Sequence, residues 1–234
     1  YYQTEQFKIE DTTDCTLFIF ATSYFLFERN TLNRKQYATQ GTLISLKIKY
    51  MYGEEYTKPG STSVLTPTRN IHKWTQCKFV MDKYYKQKGV LRMGIYTEGV
   101  YSAQPIFNNY TATILSSPAF QPLIESKTLF QSNFRAHVYF AFGIKNIITF
   151  KNKIDFRTEV YYYQPYREIQ KTTNNTSEYS KPFLKRYFIG SAALVGHTLI
   201  GPISINLNYY HQEKEPFSFL FNFGYIIFNQ KSTN

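Results

Sequence analysis

Along much of this chain apolar and polar residues alternate with a period of two, the signature of strands with one apolar and one polar face. Ile44, Leu46, Ile48 and Tyr50 oppose Ser45, Lys47 and Lys49. Leu91, Met93 and Ile95 oppose Arg92, Gly94, Tyr96 and Glu98, and Phe134, Ala136, Val138, Phe140 and Phe142 oppose Arg135, His137 and Tyr139. Ile154, Phe156, Val160 and Tyr162 face away from Asp155, Arg157 and Glu159, and Ile203, Ile205, Leu207 and Tyr209 face away from Ser204, Asn206 and Asn208. Phe217, Phe219, Phe221, Phe223, Tyr225 and Ile227 make one continuous apolar row. About ten strands are predicted, within a range of about 8 to 12. They fall at 3–10, 15–28, 42–52, 71–86, 90–103, 132–145, 153–164, 186–197, 202–212 and 217–228. Those at 15–28 and 186–197 are apolar on both faces, so their orientation stays open.

Short turns are predicted at 87–89, around Lys145–Asn146 and at 199–202, with long polar connections at 53–70, 104–131 and 165–185 between them. Short and long in alternation, with both termini on the short-turn side, is the pattern of an all-β, antiparallel transmembrane β-barrel of a Gram-negative outer membrane. Its periplasmic turns are short and its extracellular loops long. The long connections are therefore predicted to be extracellular, and residues 1–234 to form a single domain. A soluble β-sandwich also strings short strands on turns, but it buries its apolar face. Ionisable residues opposite the aromatic ones favour the barrel. The connection 104–131 carries Phe107, Ile114, Leu115 and Phe120 and has the composition to fold inward.

Composition changes the picture in three places. No run approaches the roughly 18 apolar residues of a spanning helix, and mean hydropathy is −0.39; a strand needs only about 9 to 11 alternating residues, so a barrel looks hydrophilic on average. The net charge of +11 invites a nucleic-acid reading, but the basic residues are scattered and match no nucleic-acid-binding motif. Polar loops and a polar lumen beside anionic lipid account for them, and no nucleic-acid partner is expected. Cys15 and Cys77 are free or paired, with unpaired thiols favoured. The chain opens on Tyr1 with no signal-peptide pattern, so it reads as processed or truncated.

Arg29 to Gly41, RNTLNRKQYATQG, followed by TLISLKIKY, resembles the turn-and-strand signature of the bacterial surface-antigen and barrel-assembly superfamily. The stretch NNYTATILSSPAFQPLIESKTLFQSNFRAHVYFAFGIKN from Asn108, and DFRTEVYYYQPYREI from Asp155, look like the C-terminal barrel of bacterial patatin-like phospholipases. The end, GPISINLNYYHQEKEPFSFLFNFGYIIF, is similar to that superfamily's closing hairpin. The resemblance implies a barrel of about sixteen strands, an even number as in bacterial outer-membrane proteins, with this chain either a part of it, completed by a partner, or a smaller closed barrel. It also implies that Phe223, Gly224, Tyr225 and Phe228 carry the signal read by the barrel-assembly machinery during insertion.

The chemistry expected is sparse. A patatin-like lipase needs a Gly-x-Ser-x-Gly nucleophile elbow, and none occurs, so this chain is not expected to be the enzyme; such a domain would lie upstream. His72, His137, His197 and His211 stand in no triad spacing, and neither a metal nor a cofactor is expected. The constellation that remains is an inward-facing charge network of Arg92, Glu98, Arg135, His137, Asp155, Arg157 and Glu159. It reads either as a solute-selecting lumen or as a salt-bridged filling of a narrow barrel. The function expected is an outer-membrane anchor or translocation-type barrel serving an attached or associated module. The alternatives are a noncatalytic subunit of an outer-membrane complex or homodimer, and a small-solute channel.

Overall fold

The computed structural model describes residues 12–61, 63, 66–85, 89–150 and 153–225. Segments rich in Ile, Phe, Tyr and Thr, side chains that pack well on a pleated surface, form β1 (Cys15–Asn30), β2 (Gly41–Lys58), β3 (Thr68–Tyr85), β4 (Leu91–Ser102), β5 (Val138–Phe150) and β6 (Ile154–Pro165). A short hairpin of β7 (Ile169–Lys171) and β8 (Ser177–Tyr179) follows, then β9 (Tyr187–Thr198), β10 (Gly201–Tyr210) and β11 (Phe217–Phe223). The all-β expectation holds. Nine strands form one sheet in the order β1-β2-β3-β4-β5-β6-β9-β10-β11, every pair antiparallel. Among the described residues β1 and β11 are its two ends and do not pair, so the sheet is not closed. The predicted strand at 3–10 lies outside the described residues.

Connections follow the expected alternation of short and long only in part: loop 31–40, ten residues long, falls at the short-turn end, and 211–216, six residues long, at the long-connection end. The connections β2–β3, β4–β5, β6–β9 and β10–β11 lie at one end of the sheet, and β3–β4, β5–β6 and β9–β10 at the other, with loop 31–40. Cys15 pairs with Lys58 at the long-connection end, whereas Phe223 pairs with Ile203 at the short-turn end. The described residues therefore enter the sheet at one end and leave it at the other, and both termini lie outside the described residues.

Three further expectations are corrected. Lys145 and Asn146 are not a turn but lie within β5, paired with Gly94 and Met93 of β4; the reversal falls between Phe150 and Ile154. Residues 132–137 are not a strand: Ser132–Phe134 is a 3-10 turn, and Phe134 and Ala136 are buried rather than outward. The final strand stops at Phe223 because Gly224 takes a left-handed φ of 84° and its N–H turns to Pro202 O at 2.9 Å. Gly224 and Tyr225 thus lie beyond it, and Phe228 is outside the described residues.

The two faces of the sheet differ sharply. On the outer face Leu17, Ile48, Ile71, Met93, Phe142, Phe156, Leu194, Leu207 and Phe219, one from each strand in turn, are all exposed. On the inner face sit loop 31–40, segment 103–137 with the helix α1 (Tyr110–Ser116), and the buried side chains. Among the described residues no helix is long and apolar enough to cross a membrane, which does not bear on strands.

Candidate functional site: the packed inner face

Position parity puts Arg92 and Glu98 of β4 and Asp155, Arg157 and Glu159 of β6 on the inner face, as the alternation predicts. The structure then divides the predicted network into separate assemblies. Arg135 and His137 precede β5 and bind connections instead. Arg135 Nη1 donates to the carbonyls of Leu115 and Ser117, each at 3.1 Å, pinning the end of α1. His137 Nδ1 meets the Tyr179 hydroxyl at 2.6 Å. Burial pushes the His137 imidazole down to about 4, because a charged ring without water loses its solvation.

The centre is aromatic. Phe120, fully buried, stacks on Tyr163 at 5.3 Å between ring centroids and meets Tyr139 and Tyr161 edge-on. Phe134 packs against Tyr163, Tyr187 and Tyr210. Such ring pairs contribute about 0.5–1.5 kcal/mol each beyond area burial. Glu98, 2% exposed, sits among them; it accepts from the hydroxyls of Tyr96 and Tyr139 and from Lys78 Nζ at 2.7 Å. Toward the long connections, Phe107 packs on Phe18, His72 and Trp74, and Glu55 ties the Asn108 N–H to His72.

Toward the short turns the assembly is ionic. Lys145 bonds Asp82 at 2.8 Å and the Tyr84 hydroxyl at 3.2 Å. Arg157 donates to Glu159 and, at 2.9 Å, to the carbonyl of Ala38 in loop 31–40. Arg92 holds the same loop through Thr39 Oγ1 at 2.7 Å. Asp155 takes His197 at 2.7 Å, Arg34 at 3.4 Å and Thr149 at 2.7 Å. Tyr37 reaches across to Ser204 at 2.8 Å. Lys78, Asp82 and Lys145 were not singled out from sequence, and His197 was weighed only as a triad candidate; Lys145 was hidden by the turn expected there, whereas the alternation of β3 carried a signal for Lys78 and Asp82.

Chemically this is a set of compensated charges. Asp82, Glu98, Asp155 and Glu159 each hold a cation, so none is poised as a general base toward open space. Ser204 is engaged by Tyr37 rather than by His197, whose Nε2 faces Asp155. Among the described residues no three His, Cys, Asp or Glu side chains converge as metal ligands. Comparison with protein-family models, curated proteins and solved structures found no match to this chain.

Proposed function

We propose that the chain is a membrane-embedded β-sheet protein of the outer-membrane barrel type, and that its role is to anchor or join other components rather than to conduct solutes. The observation that carries this reading is the inversion of polarity across the sheet. Large apolar side chains stand exposed on the outer face of all nine strands while ions and hydroxyls are buried on the inner one. A row such as Phe217, Phe219, Phe221 and Phe223, each at least 60% exposed, is costly in water and matched by hydrocarbon.

Anchoring is favoured over conduction because Phe107, Phe120, Phe134 and loop 31–40 occupy the inner face. The open ends of the sheet support completion by further strands. β1 and β11 both run from the long-connection end to the short-turn end, so an antiparallel closure takes an odd number of additional strands between them. In lipid an unpaired edge would leave backbone groups without partners, at several kcal/mol each. The resemblance to patatin-associated barrels makes an upstream lipase-like module one candidate for what is anchored.

Leu207→Arg tests the membrane reading, because Leu207 faces outward opposite Phe219. In lipid the change costs about 2–4 kcal/mol near the bilayer centre, read as a lowered urea midpoint in vesicles. A chain that is monodisperse without detergent and indifferent to Leu207→Arg is not a membrane protein of this kind.

A further inference from the structure

At the long-connection end, four stretches distant in sequence line a half-open cleft of about 540 Å³, within the range of roughly 300–1,000 Å³ typical of small-molecule sites. The approach to β1 forms one side, Ser63 and the start of α1 line others, and the tip at 173–175 completes it. The walls are tied together by hydrogen bonds: Gly60 N to Asp14 Oδ1 at 2.9 Å, Ser61 N to Thr12 O at 3.2 Å, and Tyr110 N to Asn175 O at 2.9 Å. The cleft is therefore a built feature of the folded connections.

Its chemistry is uniform. Nine of the twelve lining residues carry a hydroxyl or a carboxamide, one carries a carboxylate, and none carries a cation. Leu115, 54% exposed, adds an apolar strip. A smaller cleft of about 290 Å³ lies just beyond Asn108 and Thr176 and repeats the pattern with Thr66, Thr68 and Ser177.

We propose that this cleft binds an uncharged saccharide. Hydroxyls and carboxamides both donate and accept, matching the donor-acceptor character of each sugar hydroxyl, and Leu115 suits the C–H face of a pyranose ring. Anions are disfavoured: no cation is present, and the Gly60 N–H bonded to Asp14 holds that carboxyl below its usual range, so it stays ionised. The inference does not depend on membrane insertion.

Full-length protein in mild detergent is titrated calorimetrically with maltotriose, cellotriose, mannotriose and a galacturonic acid trimer. Saturable binding of at least one neutral trisaccharide is expected, weakened about fivefold, the scale of one lost hydrogen bond, by Thr173→Val and by Asn174→Ala. Thr173 and Asn174 both lie exposed on the tip, so neither variant is expected to perturb folding. No binding of any neutral probe, tighter binding of the acidic trimer, or neutral binding that Asn174→Ala leaves unchanged each overturns the proposal.

Discussion

Tyr161 of β6 lies across Gly143 of β5, its directly opposed residue, so closely that a Cβ at position 143 would sit 2.3 Å from Tyr161 Cδ1. Tyr161 is fully buried, with Tyr96 edge-on at 5.6 Å and its hydroxyl bonded to Glu159, so it has no free direction in which to yield. Gly143→Ala is expected to destabilise the fold by about 1–3 kcal/mol, as overpacking does. Gly99→Ala, where a Cβ meets nothing within 4 Å, serves as the control and should stay within about 0.5 kcal/mol. Urea unfolding midpoints compare the two; equal shifts would mean that the ring does not fill the glycine's space.

Lys145 and Asp82 lie on strands separated by β4 and meet across it, next to Tyr84, whose hydroxyl Lys145 also bonds and whose ring covers Gly94. Both are largely buried, with side-chain exposures of 7% and 12%. Lys145→Met alone or Asp82→Leu alone should cost about 3–5 kcal/mol by stranding a charge, whereas the double replacement should recover most of the loss. Additive losses in this double-mutant cycle would show that the pair is not coupled.

The inner face is read here as filling rather than as a pathway. Glu98→Gln, which takes the counter-charge from Lys78, and Phe120→Ala, which empties the aromatic centre at a cost of about 3–5 kcal/mol, should both lower the temperature at which the folded band is lost on unheated gels. Neither should raise ionic conductance in planar bilayers. Conductance from the unaltered chain, or a rise with stability intact, would restore the channel reading.

Protonation of His137 is suppressed in the folded state, from an ordinary value of 6.5 to about 4. The unfolded chain therefore binds a proton that the folded chain refuses between those values, and stability falls as pH is lowered through that window and levels off beneath it. The effect is on the order of 3 kcal/mol at most. His137→Gln should flatten the pH dependence of the unfolding midpoint between pH 6.5 and 4; an unchanged slope would assign it to other groups.

The facing of β2, β4, β5, β6, β10 and β11 was legible in the sequence, because side chains alternate about a strand irrespective of its partner, whereas β1 and β9, apolar on both faces, left theirs open. Ile203, Ile205 and Leu207, or Phe156 against Arg157, announce their faces locally. The charged inner residues Arg92, Glu98, Asp155, Arg157 and Glu159 were legible on the same ground. What failed were places where a local signal competed with a distant partner. Lys145–Asn146 reads as a turn until Asp82 is seen waiting across β4, and the alternation from Phe134 to Val138 looks like strand until Phe134 is drawn in among Tyr163, Tyr187 and Tyr210.

By itself, then, the sequence determined the strand class, the polarity of most strand faces and much of the rhythm of short and long connections, since all three are written in spacings of a few residues. Only the tertiary structure decided which charges pair, that segment 103–137 and loop 31–40 fill the inner face, and that Thr16, Ser63, Asn109 and Asn174 share one cleft. Those contacts join residues as far as 169 positions apart, as Tyr37 and Asn206 are, and they depend on strand register and loop placement, for which no local pattern carries a signal.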